Sequence, residues 1–373
     1  MRATLDIDLQ AVQANWRHLR DSLQKGCECA AVVKADAYGL GAAEVVTALL
    51  AAGCKTFFVA TLNEAIALRA SVPTGCTIVV LGGLCHGAPS IFAEHNLVPV
   101  LYDISSVTSW ANYCRGIKAA HPSVIKIDTG MNRLGLALAE LEMLLDQGRL
   151  VDECSPIMLM SHLACADTPD AVLNGQQLNL FKQAKATFSV RFPWARYSLA
   201  NSSGIFLGEH YHFNTARPGA ALYGVNPTPF DAQNPMHQVV RLQLPVMQVK
   251  TVSKGGSIGY GGTFVAAKDM RIAIVFGGYA DGILRLLSSR GHGYYNGHPI
   301  PIVGRVSMDS IAYDVSSIPD SDISSGDMVE LLGTQGIDAL AQDASTIGYE
   351  ILTSLGRRYR RHYLNVTKGD ARV

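Results

Sequence analysis

The sequence predicts an α/β protein, with an N-terminal (β/α)8 TIM-type barrel over residues 1–235 and a mostly β domain over residues 236–373. Three observations carry this expectation. Eight short β-rich runs alternate with helical stretches in the first 225 residues, the rhythm of parallel strands joined by right-handed crossovers. After residue 235 the runs follow one another across Gly-rich turns with no helical stretch between them. Segment 226–235, with three prolines and an Asn-Pro pair at each end, separates the two textures and reads as a linker.

The eight runs are residues 30–34, 56–61, 77–81, 97–101, 123–128, 157–161, 196–200 and 212–217. Most are continuously apolar rather than alternating, as strands covered on both faces are. Segments such as 42–52 and 176–188 carry apolar residues at helical spacing with few breakers, and supply the intervening helices. A doubly wound open sheet would show the same alternation, but a series that starts and stops at eight favours closure into a barrel. In the second domain, residues 242–249, 270–275, 301–306 and 327–332 read as strands. The chain has no internal repeat and no low-complexity tract.

Composition narrows the function classes. Hydrophobic residues make up 48% of the chain and charged ones 17%, enough apolar material to offset chain entropy and to argue against long disordered stretches. With 31 basic against 31 acidic side chains, no net field draws the protein to nucleic acid or to an anionic membrane. The one local excess, Arg357, Arg358, Arg360, Arg361 and His362 interleaved with Tyr359 and Tyr363, reads as a solvated strand end. No run approaches the ~20 apolar residues of a membrane span, and nothing near the N-terminus resembles a signal peptide, so a cytoplasmic protein is expected. The eight cysteines, at 27, 29, 54, 76, 85, 114, 154 and 165, contain no CxxC pair. Buried free thiols explain them better than disulfides or zinc, and no metal is expected.

Lys34 ends the first barrel strand after four small apolar residues, with Gly39 and Gly41 close behind. In a barrel the C-terminal strand ends face the active site. An amine placed there among apolar neighbours, which disfavour its charged form, is positioned for a Schiff base. A lysine capping a strand into solvent is the plain alternative from these residues alone. In the second domain, Tyr260 sits in Ser257-Ile-Gly-Tyr-Gly-Gly-Thr263, a glycine-flanked loop that presents its phenol without steric cover. A turn tyrosine with no chemical role has the same signature.

The stretch Val33-Lys34-Ala35-Asp36-Ala37-Tyr38-Gly39-Leu40-Gly41 resembles the cofactor-lysine signature of the alanine racemase family. The resemblance continues in order along nearly the whole chain. It includes Lys126-Ile-Asp-Thr-Gly-Met-Asn-Arg-Leu-Gly135, Ser161-His-Leu-Ala164, Ala200-Asn-Ser202, Ala216-Arg-Pro-Gly-Ala-Ala-Leu-Tyr-Gly224, Gly259-Tyr-Gly261, Gly277-Gly-Tyr-Ala-Asp-Gly282 and Arg305-Val-Ser-Met-Asp309. Two departures stand out. Asn132 occupies a position where many relatives carry glycine, and Ser307 one where some carry cysteine; neither removes a group the chemistry needs.

The resemblance implies an isomerase that interconverts L- and D-alanine, as a source or a sink of D-alanine for peptidoglycan precursors or nutrition. It implies pyridoxal 5'-phosphate bound through Lys34. Ser202 with the amides of Gly219 and Ala220 would hold the phosphate, and Tyr38 and Tyr349 would add phenol donors. Arg217 would face the pyridine nitrogen; because arginine keeps its proton, that nitrogen would stay an acceptor and the ring a weak electron sink. His162 would flank the ring, with a hydrogen bond toward Arg217 or Tyr260. Arg133 would contact the phenolic oxygen and the substrate carboxylate, oriented by Lys126 in carbamylated form, and Met308 would contact substrate. Tyr260 would act on the face opposite Lys34, Tyr260 on the L side and Lys34 on the D side, across a head-to-tail homodimer with shared sites.

Three rivals share parts of this pattern. A barrel decarboxylase of basic amino acids shares the lysine but leaves the Tyr260 loop unexplained and would need an acidic pocket that the sequence does not show. A non-catalytic pyridoxal-phosphate carrier would need only the barrel, and the second domain argues against it. A racemase for serine or a broader set of substrates stays open, because a small pocket rejects an added hydroxyl only weakly.

Overall fold

The computed structural model describes residues 2–84, 88–231 and 233–364, so Cys85 lies outside the described residues; the other seven cysteines are free thiols. Seven parallel strands form one sheet in chain order: Ala31–Val32, Thr56–Val59, Thr77–Val80, Val98–Leu101, Ser123–Lys126, Pro156–Met160 and Arg196–Ser198. An eighth segment closes the ring. On one side Asn214 N donates to Tyr197 O at 3.0 Å and Arg217 N to Ala200 O at 2.9 Å; on the other, Ala30 N donates to Ala216 O at 3.0 Å and Val32 N to Pro218 O at 2.9 Å. The first strand is thereby held on both edges, and the barrel has no free edge there to protect.

The barrel strands are apolar because both faces are covered. Every residue of Thr56–Val59, Val98–Leu101 and Ser123–Lys126 is buried. Burying one side chain such as Phe57 or Phe58 contributes about 2–3 kcal/mol. Helices return the chain between strands, and two of them start on side-chain caps. Thr61 and Glu64 form a capping box for Leu62–Arg69, and Asp103 accepts from Ser106 N at 2.6 Å at the head of Ile104–Ile117. The helix expected over 42–52 is found as Ala42–Ala52, and the one over 176–188 lies inside Val172–Arg191.

The eighth strand is shorter than its sequence suggests, with only Thr215–Ala216 in ladder geometry. His212 turns inward instead, accepting from Gln24 N at 3.0 Å through Nδ1 and meeting Ile205 O at 2.7 Å through Nε2, and Phe213 takes a left-handed φ of 52°. The 226–235 segment is pinned: Asn226 N donates to Asp338 Oδ2 at 2.9 Å, and Asn234 Nδ2 to Gly224 O at 2.9 Å.

The second sheet has eight strands built on Val240–Val252. One path runs His298–Pro301, His292–Tyr295, Met328–Leu332, Val240–Val252, Thr4–Asp8 and Arg360–Leu364; Met270–Phe276 and Ser310–Asp314 branch from the long strand. The N-terminal strand Thr4–Asp8 therefore belongs to this sheet, antiparallel to Val240–Val252 and parallel to Arg360–Leu364. Residues 301–306 do not form the strand expected of them. Gly304 adopts φ +75° against Ile258 O and breaks the ladder, leaving an isolated bridge from Ile302 to Tyr313. The basic run near the C-terminus is, as expected, a largely solvated strand end, with Arg357, Arg358 and Arg360 exposed beside or in the strand Arg360–Leu364, and two of its members also make ion pairs. Arg358 grips the buried Asp281 through two bonds of 2.6 and 2.7 Å and Asp309 through a third of 2.8 Å, while His362 pairs with Asp6 at 3.1 Å. No helix among the described residues is long and apolar enough to cross a membrane.

Candidate active site

A cavity of about 710 Å³ opens at the C-terminal ends of the barrel strands. It gathers ten of the twelve site residues expected from sequence: Lys34, Tyr38, Lys126, Arg133, His162, Ser202, Arg217, Gly219, Ala220 and Tyr349. Four cationic side chains line it against one carboxylate, Glu350. A small, mostly cationic cavity with apolar walls suits a multiply charged phosphate ester.

Lys34 leaves the first strand at the start of an unusual turn. Ala35, Asp36, Ala37 and Tyr38 all take left-handed angles, φ 53–56°, although none is glycine. Each such residue costs roughly 1–2 kcal/mol. The turn swings Tyr38 back into the cavity, where its ring lies 4.9 Å from that of Tyr223 and 6.0 Å from that of Tyr349. Burial raises the Tyr38 phenol above its ordinary range, so it stays protonated as a donor. Burial and then Arg133 push the Lys34 amine down, and Glu64 opposes them.

Opposite the lysine, Ser202 Oγ accepts from Gly219 N at 3.0 Å and Ala221 N at 3.4 Å, which draws the loop after the seventh strand onto the one after the eighth. A Cβ on Gly219 would sit 2.4 Å from Tyr38 Oη, so only glycine allows this approach. The result is a cradle of hydroxyls and backbone amides that a phosphate fits.

Arg217 is buried and has no carboxylate partner among the described residues. Nη2 donates to Ser161 O at 2.5 Å and lies 3.5 Å from His162 Nδ1, while Nη1 donates to the Ser198 hydroxyl. Burial pushes its guanidinium down to about 9, which still leaves it charged at neutral pH. Burial, then Arg217 and Arg133, hold the His162 imidazole well below its usual range and therefore neutral. No hydrogen bond joins His162 to Tyr260 within the chain. Among the described residues Lys126 has no ion-pair partner; burial, Arg133 and Arg217 push its amine down to about 8, with Asp128 opposing them. An unpaired, part-neutral lysine facing arginines is chemically suited to gain a negative charge.

Arg133 extends from a loop held by Asp128, whose Oδ1 accepts from Gly130 N at 2.8 Å, Met131 N at 3.0 Å and Asn132 N at 3.2 Å. Asn132 takes φ +55°, a conformation that asparagine tolerates better than most side chains, which accounts for the Asn-for-Gly departure.

Tyr260 and Met308 lie outside the cavity. Both belong to the second sheet's loops and are exposed, Tyr260 at 71% and Met308 at 52%. Gly259 and Gly261, at φ +77° and +73°, hold Tyr260 outward. The second domain does reach its own chain's cavity, through Ile347 and Tyr349.

Some supporting residues were not anticipated from sequence. Gln177, fully buried on Val172–Arg191, accepts from Ala164 N at 2.9 Å and donates to His162 O at 2.9 Å and Thr129 Oγ1 at 3.2 Å. Ser198 and Glu64 serve Arg217 and the Lys34 turn in the same way. The signal for such residues is a polar side chain in a buried helical or strand position, visible only once burial is known.

Two family models match the chain, alanine racemase N-terminal domain over residues 7–227 and alanine racemase C-terminal domain over residues 239–363. The chain belongs to the alanine racemase family. It is 46% identical over 369 residues to an alanine racemase of Rhodospirillum rubrum, covering 99% of this chain and 97% of that one. It is 45% identical over 361 residues to a catabolic alanine racemase of Agrobacterium fabrum, covering 96% and 92%. Among solved structures, the alanine racemase of Bartonella henselae with covalently bound pyridoxal phosphate superposes with a TM-score of 0.92 at 39% identity, covering 98% of this chain and all of that one. Alanine racemases thus share both the barrel that carries the cavity and the sheet that carries Tyr260.

Proposed function

We propose that the protein interconverts L-alanine and D-alanine on pyridoxal phosphate, as a homodimer in which each site is shared between chains. The observation that supports it best is the division of the site residues. A cationic cavity collects ten of them, while Tyr260 and Met308 project from the second domain of the same chain.

Lys34 holds the cofactor. Ser202, Gly219 and Ala220 hold its phosphate with the Tyr38 and Tyr349 phenols, and His162 covers the ring face. Arg217 would face the ring nitrogen and, keeping its own proton, would leave that nitrogen an acceptor. Arg133 and Met308 bind substrate, Arg133 through its carboxylate, and carbamylated Lys126 orients Arg133. When bound, pyridoxal phosphate supplies the electron sink that makes the α-proton of an amino acid removable. Lys34 on one face and the partner's Tyr260 on the other take and return that proton, Tyr260 from the L side and Lys34 from the D side. An arginine at that position would keep the electron sink weak and so favour return of the proton over side reactions.

In this reading residues 1–235 are the cofactor-binding unit, with strand Thr4–Asp8 lent to the second sheet, and residues 236–373 complete the partner's site. An obligate pair of this kind buries more than roughly 2,000 Å². The protein works in the cytoplasm, and its reversible reaction serves D-alanine supply for peptidoglycan precursors or D-alanine breakdown.

The test is an assay of the purified protein against a panel of L-amino acids, read by chiral separation. D-alanine is expected to form fastest, with serine a slower substrate. Bound cofactor without any D-alanine would leave only a carrier role.

A further inference from the structure

We infer that Glu64 is a positioning residue for Lys34, its carboxylate anchoring the peptide that immediately follows the lysine. Glu64 Oε1 accepts from Ala35 N at 2.8 Å, and Oε2 accepts from Ala60 N at 2.7 Å and Thr61 N at 3.1 Å. Glu64 also closes the capping box of Leu62–Arg69, in which Thr61 Oγ1 accepts from Glu64 N at 3.3 Å. A capping box requires only the bond to the N-cap amide. The bond to Ala35 lies outside that requirement and ties the end of the first barrel strand to the end of the second.

The anchor has work to do because of the turn it holds. Four consecutive non-glycine residues, Ala35 to Tyr38, sit at left-handed angles, and such strain persists only where neighbours over-determine it. At the far end of the turn, Asp36 Oδ1 accepts from Ala42 N at 2.7 Å, Tyr363 Oη donates to Leu40 O at 3.0 Å, and Arg361 donates to Gly39 O. At the near end Glu64 is the side chain that bonds the first residue of the turn. The Ala35 amide shares its peptide plane with the Lys34 carbonyl, so fixing it fixes ψ of Lys34 and the direction in which its side chain leaves the strand.

Charge adds a second effect. The groups whose charges bear on the Lys34 amine are Arg133 and Lys126 on one side, the neutral His162 beside them, and Glu64 as the carboxylate. Burial and Arg133 favour the neutral amine, and Glu64 moderates that bias.

The inference rests on Lys34 being the residue that takes the cofactor, and the experiment separates the two. Full-length apoprotein prepared from the holoenzyme is mixed with pyridoxal phosphate across a pH series, and the rate of covalent capture is followed by absorbance, with melting temperature measured in parallel. The Glu64→Ala variant is expected to lower the high-pH plateau rate about fivefold or more, because the amine is misdirected even when neutral. The Glu64→Gln variant keeps one acceptor oxygen where Glu64 uses two, so its plateau is expected to fall less than that of Glu64→Ala while the rate midpoint moves down by about half a pH unit. A purely capping role would lower melting temperature and leave both quantities unmoved. A parent-like plateau in folded Glu64→Ala protein overturns the inference; if that variant does not fold, an unmoved midpoint in Glu64→Gln overturns it. Borohydride reduction of the parent is the separate control. Cofactor fixed on any peptide other than the one containing Lys34 would refute the reading of Lys34 itself.

Discussion

Arg217 and His162 approach to 3.5 Å, Nη2 to Nδ1, and among the described residues no carboxylate bonds to either. A buried arginine usually carries a paired acid, and this one spends its donors on a backbone carbonyl, a serine hydroxyl and an imidazole. An unbalanced guanidinium in such a place is suited to an uncharged acceptor, which a pyridine nitrogen is.

Exchanging that charge is expected to change the kind of chemistry as well as its rate. In the Arg217→Glu variant a protonated ring nitrogen strengthens the electron sink and prolongs charge at the α-carbon. Racemisation should fall by roughly a hundredfold while the fraction of turnovers ending in pyruvate rises. Parallel measurement of D-alanine and pyruvate decides it. Lost racemisation with no gain in pyruvate means that Arg217 does not face the ring nitrogen.

Lys126 makes a pH-dependent prediction. With its amine pushed down to about 8, the neutral form that can bond carbon dioxide grows as pH rises through that value. Carbamate formation makes one N–C bond and releases one proton, so acidification reverses it. Protein equilibrated with 13C-labelled bicarbonate is expected to show a carbamate carbon resonance that strengthens through pH 8, fades on acidification and is missing from Lys126→Arg. In that variant the Michaelis constant for alanine should rise several-fold, because Arg133 loses its orienting charge. A resonance that survives Lys126→Arg would place the modification elsewhere.

The Gly219→Ala variant probes the phosphate cradle. The added methyl would stand 2.4 Å from Tyr38 Oη, forcing the phenol out of the cavity. Affinity for pyridoxal phosphate should drop about tenfold or more, measured by titration of apoprotein. Because Tyr38→Phe removes both the clashing hydroxyl and a phosphate donor, the double variant is expected to bind no worse than Tyr38→Phe alone, which would assign the clash to that hydroxyl. Unchanged affinity in the single variant would remove Gly219 from the cradle.

Much of this arrangement was legible before the structure was known, and the remainder was hidden for definable reasons. The Lys34 strand end could be read because four apolar residues and two following glycines are local signals. The left-handed turn after it could not, since alanine and tyrosine disfavour such angles and a single aspartate does not announce four of them in a row. Thr4–Asp8 alternates half-buried and buried residues as a strand should, yet its partners stand more than two hundred residues away, and no local pattern reveals them. The Thr61–Glu64 spacing announces a helix start, whereas the reach of Glu64 to Ala35 depends on two strands becoming neighbours. The exposure of Arg358 was legible, but its ion pairs were not, because Asp281 and Asp309 are distant in sequence.

The central claim is that Lys34 of one chain and the partner's Tyr260 act in one site, and complementation between inactive chains tests it most directly. Lys34→Ala and Tyr260→Phe proteins are mixed, dissociated and reassociated, and mixed dimers are verified by differential tagging. With shared sites, each mixed dimer carries both defects in one site and none in the other, so about half of parental activity per mixed dimer is expected to return. With lysine and tyrosine acting within one chain, every site keeps one defect, and verified mixed dimers that stay inactive would contradict the account.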